Sequence, residues 1–306
     1  MALSLCVIGS SNLDHVFNVA HFPRPGETLR ADNYQLVYGG KGANQAVAAL
    51  KSGANVQFIS AVGNDSAGIA MRQDFASLGM QVDTIQIHPD LPTGLAAIQV
   101  SVQGENSIVI VAGANESVNS ETISQYQQTI MQAEMVLMQL ETPLEGICKA
   151  AEIANKVDKK VILNPAPAKA LPDDLLKNLW MITPNESEAA LLTGIEVKTI
   201  TDAKSAAEKL REKGVSEVII TLGSNGVYHQ NTISEKHYPA FQVTAKDTTA
   251  AGDTFNGALA AALLERQSLD KAIRFAQATA ALSVQVAGAQ PSIPSRKEIE
   301  TFLTSC

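Results

Sequence analysis

An open α/β fold, with a mostly parallel sheet covered by helices on both faces, is the class this sequence predicts. Three observations carry that reading. The chain has 306 residues, enough for one large α/β domain or two ordinary ones, and folding should bury ~75% of the unfolded surface. Apolar runs of strand length alternate with segments of helical period from end to end, which suits central strands of a parallel sheet. No low-complexity tract, fixed-period repeat or linker interrupts the chain, so one main domain is the economical reading.

Strands are expected at 3–9, 56–63, 134–140, 160–164, 180–183 and 216–222, each apolar with few charges. Helices are expected at 42–52, 66–78, 119–132, 144–156, 202–213, 253–266, 270–286 and 295–304. Two segments break the rhythm. Residues 13–38 mix polar and aromatic side chains with Pro23, Pro25 and Gly26. Residues 94–112 read as two strands, 94–102 and 107–112, joined by Gln103-Gly104-Glu105-Asn106, a polar connection that signals a hairpin. Antiparallel strands inserted into an α/β chain suggest a small sheet standing off the main body, as a lid or an interface. An edge extension of the main sheet is the alternative.

Composition narrows the function classes. Lys and Arg number 23 against 31 Asp and Glu, a net charge of -8, which argues against general nucleic-acid binding driven by basic side chains on phosphates. A mean hydropathy of +0.04 argues against a disordered chain. Cys6, Cys148 and Cys306 are odd in number and widely spaced, so neither a disulfide framework nor a zinc site is indicated; two core thiols and one exposed terminal thiol are expected. The first residues lack the charged start and long apolar run of a signal peptide, and no run approaches a membrane span. A cytoplasmic protein without membrane or nucleic-acid partners is the expectation.

The strongest local feature is residues 247–257, DTTAAGDTFNG. Downstream, Phe255, Ala258, Leu259, Ala262 and Leu263 share one helix face, so a helix starts near Gly252 or Asp253. Small residues and free amides at its positive end make a ready anion site, although Asp253 could simply cap the helix. A second glycine loop, residues 38–45 (YGGKGANQ), opens another helix. It is not a Walker A sequence, and it could either bring backbone against a polar ligand or serve as a plain turn.

Near the start, GSSNLD at 9–14 follows a buried strand. If residues 12–14 stay extended, Asn12 and Asp14 point the same way, and an amide beside a carboxylate suits a diol or sugar. Polar residues also end three later strands, at 139–143 (QLETP), 183–188 (TPNESE) and 221–226 (TLGSNG). Ligands of open α/β sheets bind beyond the carboxyl ends of strands, so these loops could line one cleft. The histidines show no metal-binding spacing, and neither G-x-S-x-G nor a strand-following G-x-G-x-x-G occurs. A serine hydrolase and a nicotinamide dehydrogenase are therefore disfavoured.

Taken in order along the whole chain, these motifs, with FPRPGET at 22–28, NPAP at 164–167 and GAQPS at 288–292, resemble the ribokinase-like carbohydrate kinases of phosphofructokinase-B type. The resemblance implies a three-layer α/β/α fold with a mostly parallel sheet, in which residues 1–306 form a single domain and about 13–38 and 94–112 form a β-sheet lid. It also implies ATP-dependent phosphorylation of D-ribose at its 5-hydroxyl, in a homodimer paired through the lid. By motif match, Asn12, Asp14, Gly40, Lys41, Gly42, Ala43, Asn44 and Glu141 would hold the sugar. Asp253 would be the base, and the amides of Ala251, Gly252 and Asp253 the anion hole. Asn185 and Glu188 match an Asn-x-x-Glu motif tied to phosphate and Mg²⁺, and Thr221, Leu222, Gly223, Ser224, Asn225, Gly226 and Gln277 match nucleotide-side positions. A K⁺ site would use Asp247, Thr249, Ser283, Val286, Gly288 and Ser292, several through carbonyls.

Two positions depart from the family pattern. Ala250 stands where glycine is frequent, and Gln277 where His or Asn is frequent, which leaves the nucleotide preference open. A related kinase for deoxyribose, another sugar or a nucleoside is the alternative within enzymes. A non-catalytic sugar or nucleotide sensor is the alternative outside them.

Overall fold

The computed structural model describes residues 3–305, so Cys306 lies outside the described residues. The first half of the chain supplies β1 (Ser4–Ile8), β2 (Asn12–Val19), β3 (Asn33–Gly39), α1 (Lys41–Lys51), β4 (Asn55–Gly63), α2 (Ser66–Ser77) and β5 (Ile85–His88). Next come β6 (Gly94–Ser101), β7 (Asn106–Val111), α3 (Ser120–Gln125), α4 (Gln127–Gln132), β8 (Met135–Met138) and α5 (Leu144–Asn155). The middle of the second half holds β9 (Lys160–Leu163), α6 (Asp173–Lys177), β10 (Met181–Ile182), α7 (Glu186–Thr193), α8 (Ile200–Glu212) and β11 (Glu217–Thr221). It ends with β12 (Val227–Gln230), β13 (Glu235–Tyr238), α9 (Ala251–Leu264), α10 (Leu269–Ser283) and α11 (Arg296–Ser305).

The nine-stranded main sheet has the order β13-β12-β11-β10-β9-β8-β1-β4-β5. From β11 to β5 every pairing is parallel, and only β12 and β13 run antiparallel at one edge. Alternation along the central strands divides the core into two layers. Leu5, Val7, Leu137 and Ile162 face α1, α9 and α10, whereas Cys6, Ile8, Val136 and Leu163 face α5 and α8. Both faces are therefore dry, which is why these strands read as unbroken apolar runs. The architecture is the three-layer α/β/α class the sequence predicts.

A separate four-stranded sheet has the order β3-β2-β6-β7. Its centre is the parallel pair β2 and β6, flanked by the antiparallel partners β3 and β7. It is a sheet of its own, not an extension of the main one. The expected hairpin spans β6 and β7, with Gly104 at a positive φ of 81° in the turn.

Three expectations need correction. The helix expected at 119–132 is two short helices, broken where Tyr126 leaves helical geometry at φ -97°, ψ 16°. Cys148 is only partly buried, because Ile147, Ala150 and Ala151 take the core-facing positions of α5. Strands β5, β12 and β13 and helices α6 and α7 have no counterpart among the elements expected from the sequence; β13 is the charged EKHY segment on the sheet edge. Among the described residues, no helix is long and apolar enough to cross a membrane.

Candidate active site

The carboxyl ends of the central strands and the amino ends of α1 and α9 meet on one side of the sheet. Helix α1 starts where β3 ends, with Gly40 as N-cap at φ 88°. Its first turn lies against the loop after β1. A Cβ on Gly42 would come within 2.5 Å of the Gly9 carbonyl carbon and the Ser10 nitrogen, so only glycine permits this approach. The Ala43 amide donates to Ser10 O at 2.8 Å and locks the two loops together. Helix α9 then packs on α1, and Gly257 allows the contact, because a Cβ there would collide with Gln45 O.

That contact brings Asp253 to α1. Asp253 is buried and its side chain is not a helix cap: the N-cap is Ala250, with no capping side chain. Asn44 Nδ2 donates to Asp253 Oδ2 at 3.0 Å, and Gln45 Nε2 donates to Oδ1 at 2.9 Å. Burial pushes the Asp253 carboxyl above its ordinary range, opposed by Lys41 and by the two amide donors. The opposite atom of Asn44, Oδ1, is buried and has no partner among the described residues.

A cluster of buried polar side chains lies near this carboxylate. Asn12 and Asp14 both face inward from β2, as the period of two requires. Asn12 Oδ1 accepts from Asn115 Nδ2 at 2.8 Å, and Asn115 Oδ1 accepts from the Ser11 amide at 2.8 Å. Asp14 is 8% exposed, yet among the described residues none donates a hydrogen bond to its carboxylate. Burial, reinforced by the charges of Glu141 and Asp253 and opposed by Lys41, pushes Asp14 up to about 7. Glu141 Oε2 accepts from Ser10 Oγ at 2.6 Å and from the Lys41 amide at 2.9 Å, and its Oε1 lies 3.8 Å from Lys41 Nζ. Burial pulls the Lys41 ammonium down, but Asp253, Glu141, Glu188 and Asp14 outweigh it and hold the group above its usual value.

On the other side of Asp253 a cleft of about 430 Å³ runs away from the start of α9. Ala250 adopts the left-handed conformation at φ 58°, ψ 15°, which turns the chain into the helix. The Ala251 amide closes a turn onto Thr248 O at 3.2 Å, so it adds no free donor, a correction to the three-amide expectation. Among the described residues, the amides of Gly252 and Asp253 find no acceptor.

Thr221, Gly223, Ser224, Gly226 and Gln277 line the cleft, but Leu222 and Asn225 do not. Leu222 is buried in the core, and the Asn225 carbonyl bonds His237 Nε2 at 2.6 Å. Gln277 presents only its stem, because Nε2 donates to Tyr238 O at 2.9 Å and Oε1 accepts from Arg274 at 2.9 Å. Asn185 opens α7 and forms a capping box with Glu188: the Glu188 amide donates to Asn185 Oδ1 at 2.8 Å, and Asn185 N donates to Glu188 Oε2 at 2.9 Å. Burial raises the Glu188 carboxyl.

The residues assigned to a monovalent cation divide. Asp247 is tied to the 284–288 turn: its amide donates to Val284 O at 3.1 Å, and its Oδ2 accepts from the Gly288 amide at 2.8 Å. Thr249 N donates to Asp247 Oδ1 at 2.9 Å. Burial works against the Asp247 charge, but the bonds from Thr249 and Gly288 hold its carboxyl below the usual range. The hydroxyls of Ser283 and Ser292 are turned onto Ala280 O and Ala289 O, at 2.9 and 2.7 Å. Among the described residues, no cluster of three or more His, Cys, Asp or Glu is placed to hold a metal.

Gln45, Asn115 and Ser10 join the site without having been expected there. Gln45 and Ser10 sit inside motifs whose neighbours carry the stronger chemical signal. Asn115 carries no local signal at all, since its role comes from packing against β2.

The sequence profile of the pfkB family carbohydrate kinases matches residues 2–296. The ribokinase of Haemophilus influenzae is 50% identical over 303 residues, covering 99% of each chain. Among solved structures, the ribokinase of Thermotoga maritima superposes with a TM-score of 0.91 at 40% identity over 99% of each chain. The Arabidopsis thaliana ribokinase complexed with ribose and ATP superposes with a TM-score of 0.93 at 34% identity, again over 99% of each chain.

Proposed function

Because the chain belongs to the pfkB family of carbohydrate kinases, we propose that it transfers the γ-phosphoryl group of ATP to the 5-hydroxyl of D-ribose. The observation that carries this reading is the position of Asp253. Its buried carboxylate is bonded by Asn44 and Gln45 and lies in the field of Lys41 and Glu141. It follows directly on Gly252, which lines the open cleft, and the amides of Gly252 and Asp253 are unpartnered among the described residues. A base, polar groups for an alcohol and donors for a phosphoryl oxygen are the parts an in-line transfer needs.

The sugar is held by Asn12, Asp14, Lys41, Asn44 and Glu141, with Gly40, Gly42 and Ala43 supplying backbone. Asp14 accepts from sugar hydroxyls, which supply donors that none of the described residues offers it. As the hydroxyl attacks, its proton passes to Asp253 and its O–H electron pair becomes the new P–O bond. The bond from the γ-phosphorus to the bridging oxygen breaks, and its pair leaves with ADP. Amides at the start of α9 carry the equatorial charge, and the raised basicity of Asp253 favours proton acceptance.

Oxygen donors suit both cations implied by the family. Glu188, fixed by Asn185, is the carboxylate that would anchor Mg²⁺, which neutralises phosphate charge when bound. Asp247 and the carbonyls of the 284–288 turn would hold K⁺ and so brace the loop before Asp253. The small sheet serves as the lid of the sugar site and pairs two copies of the chain. Its support is the exposed run Ile108, Val109, Ile110 and Val111 on β7, of which Val109 is 66% exposed.

A coupled ADP-release assay over ribose, deoxyribose, other pentoses and nucleosides, in K⁺ and in Na⁺, tests the substrate. Ribose is expected to be turned over best, and turnover of another substrate with none of ribose would overturn the reading. Asp253→Asn should lower kcat by ~10²–10⁴ while ribose still binds; an unimpaired rate would place the base elsewhere. Light scattering should give a dimer.

A further inference from the structure

Behind Asp253 runs a line of buried amides that the reaction chemistry does not itself require. Gln45, fully buried on α1, spends both of its amide hydrogens: one on Asp253 Oδ1 at 2.9 Å and the other on Asn164 Oδ1 at 3.0 Å. Its Oε1 accepts from Gln139 Nε2 at 2.7 Å. Asn164, at the end of β9, donates Nδ2 to Thr183 O at 3.2 Å. Thr183, at the end of β10, donates Oγ1 to Asn256 Oδ1 at 2.6 Å, and Asn256 Nδ2 donates to Gly252 O at 2.9 Å. The line thus starts at β8, crosses the strand ends and returns to the first turn of α9.

The direction of every amide in it is determined. Thr183 O can only accept, so Asn164 must turn its nitrogen there and its oxygen towards Gln45. The Asp253 carboxylate can only accept while ionised, so Gln45 must present nitrogen to both neighbours and oxygen to Gln139. Gln139 then has to give its nitrogen. Its own Oε1 is left buried without a partner among the described residues, against Gly9, whose missing side chain leaves room for it. An orphaned buried acceptor is costly, and here it is the consequence of holding the rest of the line in one sense.

The geometry points to Gln45 as a positioning residue for the transfer, with Gln139 and Asn164 fixing its orientation. Gln45 holds Asp253 Oδ1 as Asn44 holds Oδ2, so one amide hydrogen bonds each oxygen and the plane of the carboxylate is fixed. Oδ2 is bonded by Asn44, one of the residues proposed to hold the sugar. The same line clamps Gly252 O and hence the turn bearing the free amides, so base and anion donors move as one body.

This inference rests on Asp253 being the base, and the test separates the two. Sugar KM, kcat and the pH dependence of kcat are compared for the wild type, Gln45→Leu, Gln45→Glu and Asp253→Asn, with thermal unfolding as the folding check. For Gln45→Leu, kcat should fall tenfold or more at neutral pH, with sugar KM within about twofold. The acidic limb of the pH profile should move up by about one unit, the size of a lost hydrogen bond to a charged group. Gln45→Glu keeps the shape of the side chain and serves if the leucine variant does not fold. Its second carboxyl should push the limb in the same direction. A limb that stays in place in the folded variants, whatever happens to kcat, reduces Gln45 to a packing role and overturns the inference. Retention of full rate by Asp253→Asn would instead refute the base assignment underneath it.

Discussion

Replacing Asp14 by asparagine should stabilise the protein while damaging sugar binding, and the stabilisation should depend on pH. The carboxyl is 8% exposed and receives no protein hydrogen bond among the described residues, and burial with its acidic neighbours raises it from 3.8 to about 7. A folded-state value above the unfolded one means that folding is favoured while the group is protonated and loses stability as pH rises towards 7. A rise of that size costs ~4 kcal/mol at pH 8 and about 1.5 kcal/mol at pH 5. Asparagine has nearly the same shape and no charge, so it removes that penalty. At roughly 2 °C per kcal/mol for a chain of this size, the variant should melt ~8 °C higher at pH 8 but only about 3 °C higher at pH 5. Differential scanning calorimetry without sugar, at both pH values, measures this directly. In the same preparations kcat/KM for ribose should fall by ~10² or more, since hydrogen bonds to a charged group contribute about 1.5–3 kcal/mol each. An equal melting shift at both pH values, or a less stable variant at pH 8, would show that Asp14 carries no buried charge worth removing.

Two further outcomes test the scaffold of the site. Asn115→Ala removes the donor that holds Asn12 Oδ1; sugar KM should rise about tenfold with kcat little changed, as expected for one lost positioning hydrogen bond, and steady-state kinetics would expose a fall confined to kcat. Ala250→Gly relieves a left-handed alanine at φ 58°, worth ~1–2 kcal/mol, but loosens the unfolded chain by about 0.4–1 kcal/mol. Chemical denaturation should therefore find it as stable as the wild type or up to ~1.6 kcal/mol more so, whereas Ala250→Val should be clearly destabilised.

The parts of the fold legible in the sequence are those with a dry environment on both sides. Runs such as SLCVI and EVIIT stand in the middle of the sheet and read as apolar without interruption. Edge strands follow no such rule: β13 reads EKHY, and β12 buries His229 and Gln230, so neither has the hydrophobic signature of a strand. Helix α7 is hidden differently. Its Asn185 and Glu188 are a capping box, the ordinary mark of a helix start, but the same two residues also carry ligand chemistry, which masks the structural signal. In the site, local signals are sufficient where one element provides both partners, as with Asn12 and Asp14 along one strand. They fail for Asn115, which meets Asn12 from 103 residues away, and for Gln277, whose amide is drawn off by Tyr238 and Arg274.

The net charge of -8 sharpens into a local question at this site. Four carboxylates, Asp14, Glu141, Glu188 and Asp253, act on the single ammonium of Lys41, so full ionisation would leave three negative charges uncompensated beside a polyanionic nucleotide. Burial answers part of this by raising Asp14, Glu188 and Asp253, so that each holds a proton more readily than in water. Fixed dipoles answer the rest. The free amides of Gly252 and Asp253 attract a phosphoryl oxygen without adding any titratable charge, and they need no basic surface around them. An acidic chain can therefore receive a triphosphate because the attraction is built from backbone geometry. For the same reason, that attraction depends on the turn at Ala250 more than on any side chain facing the cleft.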